Sequence, residues 1–364
     1  MNRPVSFDIF CRVIDNLGDA GVCWRLTRQL AGLGCAVRLW IDNRGALARI
    51  APDVRPDECV QRWGNITVRS WPDSPVEVTP HNIVIEAFAC TLPAWFIQRI
   101  PGQGCLWLNL EYLSAESWVE SCHGLPSPQP GGQRKYFFFP GFTRRTGGLL
   151  REPELATQRR MRQHQDRRIR LRTLLGQSLG NLPEEARIIF LFCYPDAPLK
   201  GLVQALAKAP RTTLILAPAE LASQLRPEGQ VQVHHIPYVA QEDFDTLLEC
   251  CDLNFVRGED SLVRAIWAGR PMVWHIYKQS ECTHLVKLRA WLERAALPAQ
   301  AQALIHAWNQ EGDLQMATAL TAALAPEGWN AWQARSQEWA HELAEQPDLA
   351  TQLLAFYEQH RQTR

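Results

Sequence analysis

The sequence predicts an α/β protein built from two Rossmann-like domains, and three observations predict it. At 364 residues the chain exceeds one ordinary core. Strand-type and helix-type stretches alternate regularly through the second half. The segment Arg257-Gly258-Glu259-Asp260-Ser261 lies between a strand at 253–256 and a short helix that Gly269 stops; Pro271 and a further strand at 272–277 follow.

In the first half, residues 6–14 form a β-rich apolar run and 15–21 a loop. Residues 22–33 carry helical spacing, ended by Gly34, and 35–41 make a second strand. This is a βαβ opening, and further strands are expected at 66–69, 82–87, 105–110 and 135–139. Asp42, Glu86 and Glu111 stand at strand ends, which share one edge of a doubly wound sheet. With Asp15 and Asp19 in the first loop that edge is acidic, which suits a cationic guest. For Asp42, Glu86 and Glu111 the alternative is helix capping or pairing with surface arginines. The loop has only Gly18 and Gly21 where a dinucleotide site needs Gly-x-Gly-x-x-Gly, and its aspartates stand where phosphates would lie. Nicotinamide binding is therefore disfavoured.

The second half runs strand 187–194, helix 199–207, strand 212–217, helix 219–225, strand 231–238 and helix 242–249, then the Arg257 unit. Its strand ends place Phe192, Tyr194, Tyr238, Val239, Ala240 and Gln241 beside Arg257. Aromatic faces, an amide and exposed backbone can hold a flat base. The helix start after Gly258 offers backbone N–H groups and a positive dipole end to a phosphate, while Glu259 and Asp260 suit a ligand that also carries sugar hydroxyls. A nucleotide sugar meets both demands. Asp243-Phe244-Asp245 matches a metal-binding Asp-x-Asp, but it falls in the first turn of a helix and reads as capping.

The domains are expected at 1–181 and 182–347, with a helix at 348–364 crossing back to the first. Residues 159–172 hold seven arginines and one aspartate. They form either a solvated helix joining the domains or a docking face for an acidic partner or anionic membrane. Lys plus Arg and Asp plus Glu are 38 each, so no global charge pulls the chain to nucleic acid. The 11 cysteines include no Cys-x-x-Cys pair, as expected of reduced thiols in a cytoplasmic protein without a zinc site. Neither a signal pattern at the start nor an apolar run of membrane-spanning length is present.

Three stretches carry a more specific resemblance: Ile9-Phe10-Cys11-Arg12-Val13-Ile14-Asp15-Asn16-Leu17-Gly18-Asp19, Leu108-Asn109-Leu110-Glu111-Tyr112-Leu113-Ser114, and 251–261 with Trp267-Ala268-Gly269-Arg270-Pro271 and Trp274-His275-Ile276-Tyr277 beyond it. They are similar to the bacterial protein-arginine rhamnosyltransferases that modify elongation factor P, over nearly the whole chain. The resemblance implies a GT-B fold, with two Rossmann-like domains facing an interdomain cleft. It also implies inverting transfer of rhamnose from dTDP-β-L-rhamnose to an arginine of that factor, activating it for rescue of stalled ribosomes, with no cofactor or metal.

By the same resemblance Asp19 is the general base, Asp15 assists it, and Glu259 is a second essential carboxylate. Donor contacts are expected from Asn16, Leu17, Gly18 and Asp19 in the first domain. In the second they are expected from Phe192, Tyr194, Tyr238, Val239, Ala240, Gln241, Arg257, Gly258, Glu259, Asp260 and Ser261. Acceptor contacts are expected from Asp15, Asp19, Glu86 and Glu111. Leu17, Ala20 and Tyr238 depart from the residues common in the family; the first two bear on loop packing, and Tyr238 keeps base stacking possible. Other readings are a GT-B transferase with a lipid or glycan acceptor, and a non-catalytic nucleic-acid binder, which leaves the acidic loop unexplained.

Overall fold

A computed structural model describes residues 4–14, 17–71, 74–100, 104–179, 184–310 and 312–362. The chain divides into two compact units, Met1–Pro153 with Gln346–Arg364, and Glu154–Glu345.

The first unit is an eight-stranded sheet. Its strands are β1 (Ser6–Cys11), β2 (Ala36–Ile41), β3 (Val60–Trp63), β4 (Ile66–Ser70), β5 (Ile83–Ala87), β6 (Leu106–Leu110), β7 (Pro126–Pro128) and β8 (Arg134–Phe138). They lie in the order β3-β4-β2-β1-β5-β6-β8-β7. The six central strands are parallel, because strand-helix-strand crossovers return each to the same direction. The edge strands β3 and β7 are antiparallel. Neither was expected from the sequence, since each is short and largely exposed and carries little apolar alternation.

Parallel strands need both faces covered. Phe7, Ile9 and Cys11 of β1 join one core cluster and Phe10 the other. The helix Gly18–Gly32 covers the first face with Leu26 and Leu30, beside Leu349, Ala350 and Leu353 of the helix Leu349–Gln362. Three contacts hold that last helix to this unit. Gln29 donates to Asp348 at 2.6 Å, the Leu349 N–H donates to the Leu149 carbonyl at 2.9 Å, and Gly148 lies so close to Pro347 that a Cβ would collide with its carbonyl.

The second unit has five parallel strands, β9 (Arg187–Leu191), β10 (Thr213–Pro218), β11 (Val231–Ile236), β12 (Leu253–Arg257) and β13 (Met272–His275), in the order β11-β10-β9-β12-β13. The boundary expected after residue 181 falls among residues outside the described ones, and the compact division comes at Pro153 instead. The reason is electrostatic. The arginine-rich segment forms the helices Leu155–Gln163 and Arg167–Leu175, whose guanidiniums pair with acids of the second unit. Arg162 and Arg170 each lie 2.9 Å from Glu249, and Arg167 lies 2.6 Å from Asp252. Arg162, Arg167 and Arg170 thus serve packing within the second unit, while Arg160 and Arg172 of the same segment stay exposed.

Glu249 keeps a side-chain exposure of 7% between its two arginines. Glu249→Ala is expected to lower the unfolding free energy of the second unit by about 3 kcal/mol, because two partly buried guanidiniums lose their carboxylate. Urea unfolding of the full chain measures this, and an unchanged midpoint would contradict the pairing.

Candidate active site

In the second unit the chain runs outward from β9 to β10 and β11, then returns to place β12 on the other side of β9. Ligands of doubly wound sheets bind at such a reversal, where two carboxyl ends diverge. Phe192 and Tyr194 leave β9 there and Arg257 ends β12; the Phe192 N–H donates to the Phe255 carbonyl at 2.9 Å, joining the two ends. Arg257 lays its guanidinium over both rings, 4.5 Å from the Phe192 centroid and 4.9 Å from that of Tyr194. Tyr238 meets Phe192 edge-on at 6.4 Å. Among the described residues no carboxylate pairs with Arg257, which is half-buried and suited to an anion.

Gly258, with φ of 67°, turns the chain from β12 into the helix Gly258–Ala268; the left-handed backbone favours glycine there. Its carbonyl accepts from the Trp274 indole at 3.0 Å, which fixes the turn. Glu259, Asp260 and Ser261 occupy the first helical turn. Lys287 holds Glu259 at 3.1 Å, and Gln241 donates to Asp260 at 3.3 Å. Gln241 opens the helix Gln241–Cys250 with Ala240 as its cap. The Gln241 contact brings the loop after β11, with Val239, to the loop after β12. Sequence reasoning missed Lys287, which lies 28 residues from its partner with no local signal.

Asp245 corrects the capping assignment. It accepts two bonds from Arg264 on the neighbouring helix, one at 2.6 Å from Nε, and Arg264 is only 1% exposed. Asp243 remains an exposed acid of the first helical turn. Among the described residues no three His, Cys, Asp or Glu side chains converge as a metal set.

The first unit has its own reversal, between β1 and β5. Asp15 and Asn16 lie outside the described residues. The expected loop is shorter than the sequence suggested, because the Gly21 N–H already bonds the Leu17 carbonyl at 2.8 Å and Gly18 starts the helix. Asp19 therefore sits in the first helical turn, 3% exposed, and accepts the Ile14 N–H at 2.8 Å. Beside it, β5 leads into Phe88 and Ala89, both at positive φ (58° and 54°), and Phe88 stacks on Tyr112 at 4.6 Å. Consecutive left-handed non-glycine residues cost on the order of 1–3 kcal/mol each and concentrate at functional edges.

Glu111 follows β6 and accepts from Asn109 at 2.5 Å. Glu86 differs from expectation: β5 continues past it, and its carboxylate is 3% exposed and bonded to Lys135 at 2.6 Å. Burial pushes its pKa above the usual range, against the pull of Lys135. It is thus a buried sheet-face acid rather than an edge acid. Asp42 is exposed and accepts the Val13 N–H at 2.9 Å.

Cys11 and Cys193, which adjoin the two edges, are not ready thiolate nucleophiles. Burial pushes Cys193, between Phe192 and Tyr194, up to about 12, and Cys11 rises well above its ordinary value through its hydrogen bond with Cys23 and its burial. Such thiols stay protonated near neutral pH.

Comparison with known proteins identifies the family of the whole chain rather than its individual site residues. A family model described as Elongation-Factor P (EF-P) rhamnosyltransferase EarP matches residues 7–358. A protein-arginine rhamnosyltransferase of Pseudomonas aeruginosa is 46% identical over 97% of this chain and 98% of its own length. That of Pseudomonas putida is 45% identical over 97% and 98%. The solved structure "Structural basis for EarP-mediated arginine glycosylation of translation elongation factor EF-P" is similar at a TM-score of 0.66 and 34% identity, covering 97% of this chain and 99% of that one. A spinosyn rhamnosyltransferase complexed with thymidine diphosphate shares the fold alone, at 11% identity, 96% and 99% coverage and a TM-score of 0.54. The fold is of the GT-B glycosyltransferase class.

Asp243→Asn and Asp245→Asn should separate sharply in a thermal melt. The first loses a favourable charge at a helix start, roughly 0.3–1 kcal/mol. The second strips the carboxylate from a buried guanidinium and should cost about 3–5 kcal/mol. Equal effects would return Asp245 to a capping role.

Proposed function

Because the chain belongs to the elongation factor P rhamnosyltransferase family and is a protein-arginine glycosyltransferase, we propose that it moves L-rhamnose from dTDP-β-L-rhamnose, with inversion, to one arginine of elongation factor P in the cytoplasm. The observation that carries the donor half is the Arg257 guanidinium, stacked on Phe192 and Tyr194 at the strand reversal and beside a helix start. A diphosphate would meet that cation, the first-turn N–H groups and the Ser261 hydroxyl; the base would lie against Phe192 and Tyr238. Glu259 and Asp260 would accept from sugar hydroxyls, Glu259 being held by Lys287.

The acceptor half rests on the first unit's edge. A guanidinium is a poor nucleophile, since its lone pairs are delocalised and it stays protonated. Reference values separate arginine from aspartate by about nine to ten units, so prior deprotonation would cost roughly 13 kcal/mol. Asp19, with Asp15, instead grips and orients the guanidinium. The proton passes to Asp19 as the C–N bond forms and that nitrogen leaves conjugation. The C–O bond to the diphosphate breaks on the opposite face of the sugar, which inverts the anomeric carbon without a covalent enzyme intermediate. Charge on the departing diphosphate is stabilised by Arg257 and backbone N–H groups, so no metal is required.

Mass spectrometry of elongation factor P after incubation with this protein, dTDP-rhamnose and a chelator tests the reading. A single rhamnose on one arginine is expected; an unmodified factor, or activity only after divalent metal is restored, would count against it. Asp19→Asn should lower turnover by roughly 100-fold or more, while the amide oxygen still accepts the Ile14 N–H and dTDP affinity is kept. Near-normal turnover would remove Asp19 from the mechanism.

The two faces are separable by calorimetry. Arg257→Ala should weaken dTDP binding by about 1.5–3 kcal/mol, the range for a hydrogen bond to a charged group. Asp15→Ala should leave dTDP binding intact and weaken engagement of the factor. The reverse pattern would exchange the donor and acceptor assignments.

A further inference from the structure

His275 ends β13, where it is the register partner of Arg257 on β12. Its side chain is buried, 5% exposed, and it is tied to the loop that carries Tyr194. Nδ1 accepts the Tyr194 N–H at 3.2 Å across 81 residues of sequence. The Tyr194 ring meets the imidazole edge-on at 5.2 Å, and Nε2 lies 3.7 Å from Asp196 Oδ1. With Nδ1 accepting, the proton of the neutral ring belongs on Nε2, towards Asp196. The imidazole therefore holds the Tyr194 end of the turn Tyr194-Pro195-Asp196 and lies near its Asp196 end.

The ring is itself held. Asn309, at the end of the helix Ala299–Asn309, donates to the Trp274 carbonyl at 2.8 Å and accepts the Ile276 N–H at 3.0 Å, gripping the chain on both sides of His275. Trp308 packs edge-on against the imidazole at 6.1 Å. A histidine supported this heavily, yet without a place in the transfer chemistry, requires another purpose.

We infer that His275 is a positioning residue of the donor site: it holds the Tyr194 backbone, and thereby the Tyr194 ring under the Arg257 guanidinium, in the shape that receives the donor's diphosphate. The inference rests on the reading above that Tyr194 and Arg257 bind the donor. The role requires the neutral ring, because an imidazolium has no acceptor for the Tyr194 N–H. The surroundings supply that state. Burial lowers the His275 pKa to about 4, and Arg257, Lys278 and His284 push the same way against the opposing pull of Asp196.

The test compares full-length variants by dTDP calorimetry and by steady-state rhamnosylation of elongation factor P. In His275→Asn the amide oxygen takes the place of Nδ1 and still accepts from Tyr194; in His275→Leu nothing does. His275→Leu should raise the dTDP Kd and the donor KM about 10-fold, the equivalent of one lost buried hydrogen bond. Both kcat and the KM for the protein acceptor should stay within about 2-fold, and His275→Asn should recover most of the lost affinity. Wild-type donor affinity should show no histidine step between about pH 5.5 and 8.5. Should the leucine variant fail to fold, His275→Gln replaces it, since its amide reaches the Nε2 position and leaves the Tyr194 N–H without its acceptor. Wild-type affinity in the leucine or glutamine variant would overturn the inference, as would an asparagine variant as weak as leucine. If the wild-type protein itself failed to bind dTDP, the donor reading would fall first, and the inference with it.

Discussion

Each sheet reverses its strand order beside its first strand, and the candidate chemistry depends on that reversal. Parallel strands must be covered on both faces, so their connections run over the faces and deliver each loop to the same edge. Where the order turns back, two loops diverge and leave backbone groups that the sheet does not use. In the first unit this happens between β1 and β5, where Asp19 and the left-handed pair Phe88 and Ala89 emerge. In the second it happens between β9 and β12, where Tyr194 and Arg257 emerge. Within each unit the candidate groups need no special local sequence to share an edge. They need only to follow the right strands.

The second unit distributes its charges in two ways. Away from the edge, acids and arginines cancel: Glu249 with Arg162 and Arg170, Asp252 with Arg167, and Asp245 with Arg264. Removing one partner of such a buried set is costly, so these residues are held by folding whatever the protein binds. At the edge Arg257 rests on aromatic faces, which support a cation without neutralising it. That difference sets the arginines consumed by packing apart from Arg257, the one proposed for the donor, more clearly than arginine density does. The seven arginines of 159–172 attract attention in the sequence, yet those with acidic partners serve the fold.

The side chains around the two candidate edges are themselves held in defined states. The thiols of Cys11 and Cys193 are kept protonated, and Glu259 and Asp260 have defined partners in Lys287 and Gln241. Order at the reversal between β9 and β12 extends outward through His275 to Asn309, so the loop proposed to face the nucleotide is supported from a helix outside the sheet. A second layer of this kind reduces what binding must spend on organising the loop.

What the sequence determined by itself was the alternation of strands and helices, the two α/β units, and the motifs around Asp19 and Arg257. Those signals are local: apolar periodicity, Gly18 and Gly258 at turns, and polar residues following strand-like runs. Only the tertiary structure decided which charges are consumed by packing. Glu86 looks like an edge carboxylate until β8 brings Lys135 to it, and Asp245 looks like a helix cap until the next helix presents Arg264. The same holds for Lys287 beside Glu259, His275 beneath Tyr194, and the arginine helices that move the compact boundary back to Pro153. In each case the deciding partner lies on another strand or helix, often dozens of residues away, and Coulomb and hydrogen-bond energies depend on distance in space rather than on separation along the chain.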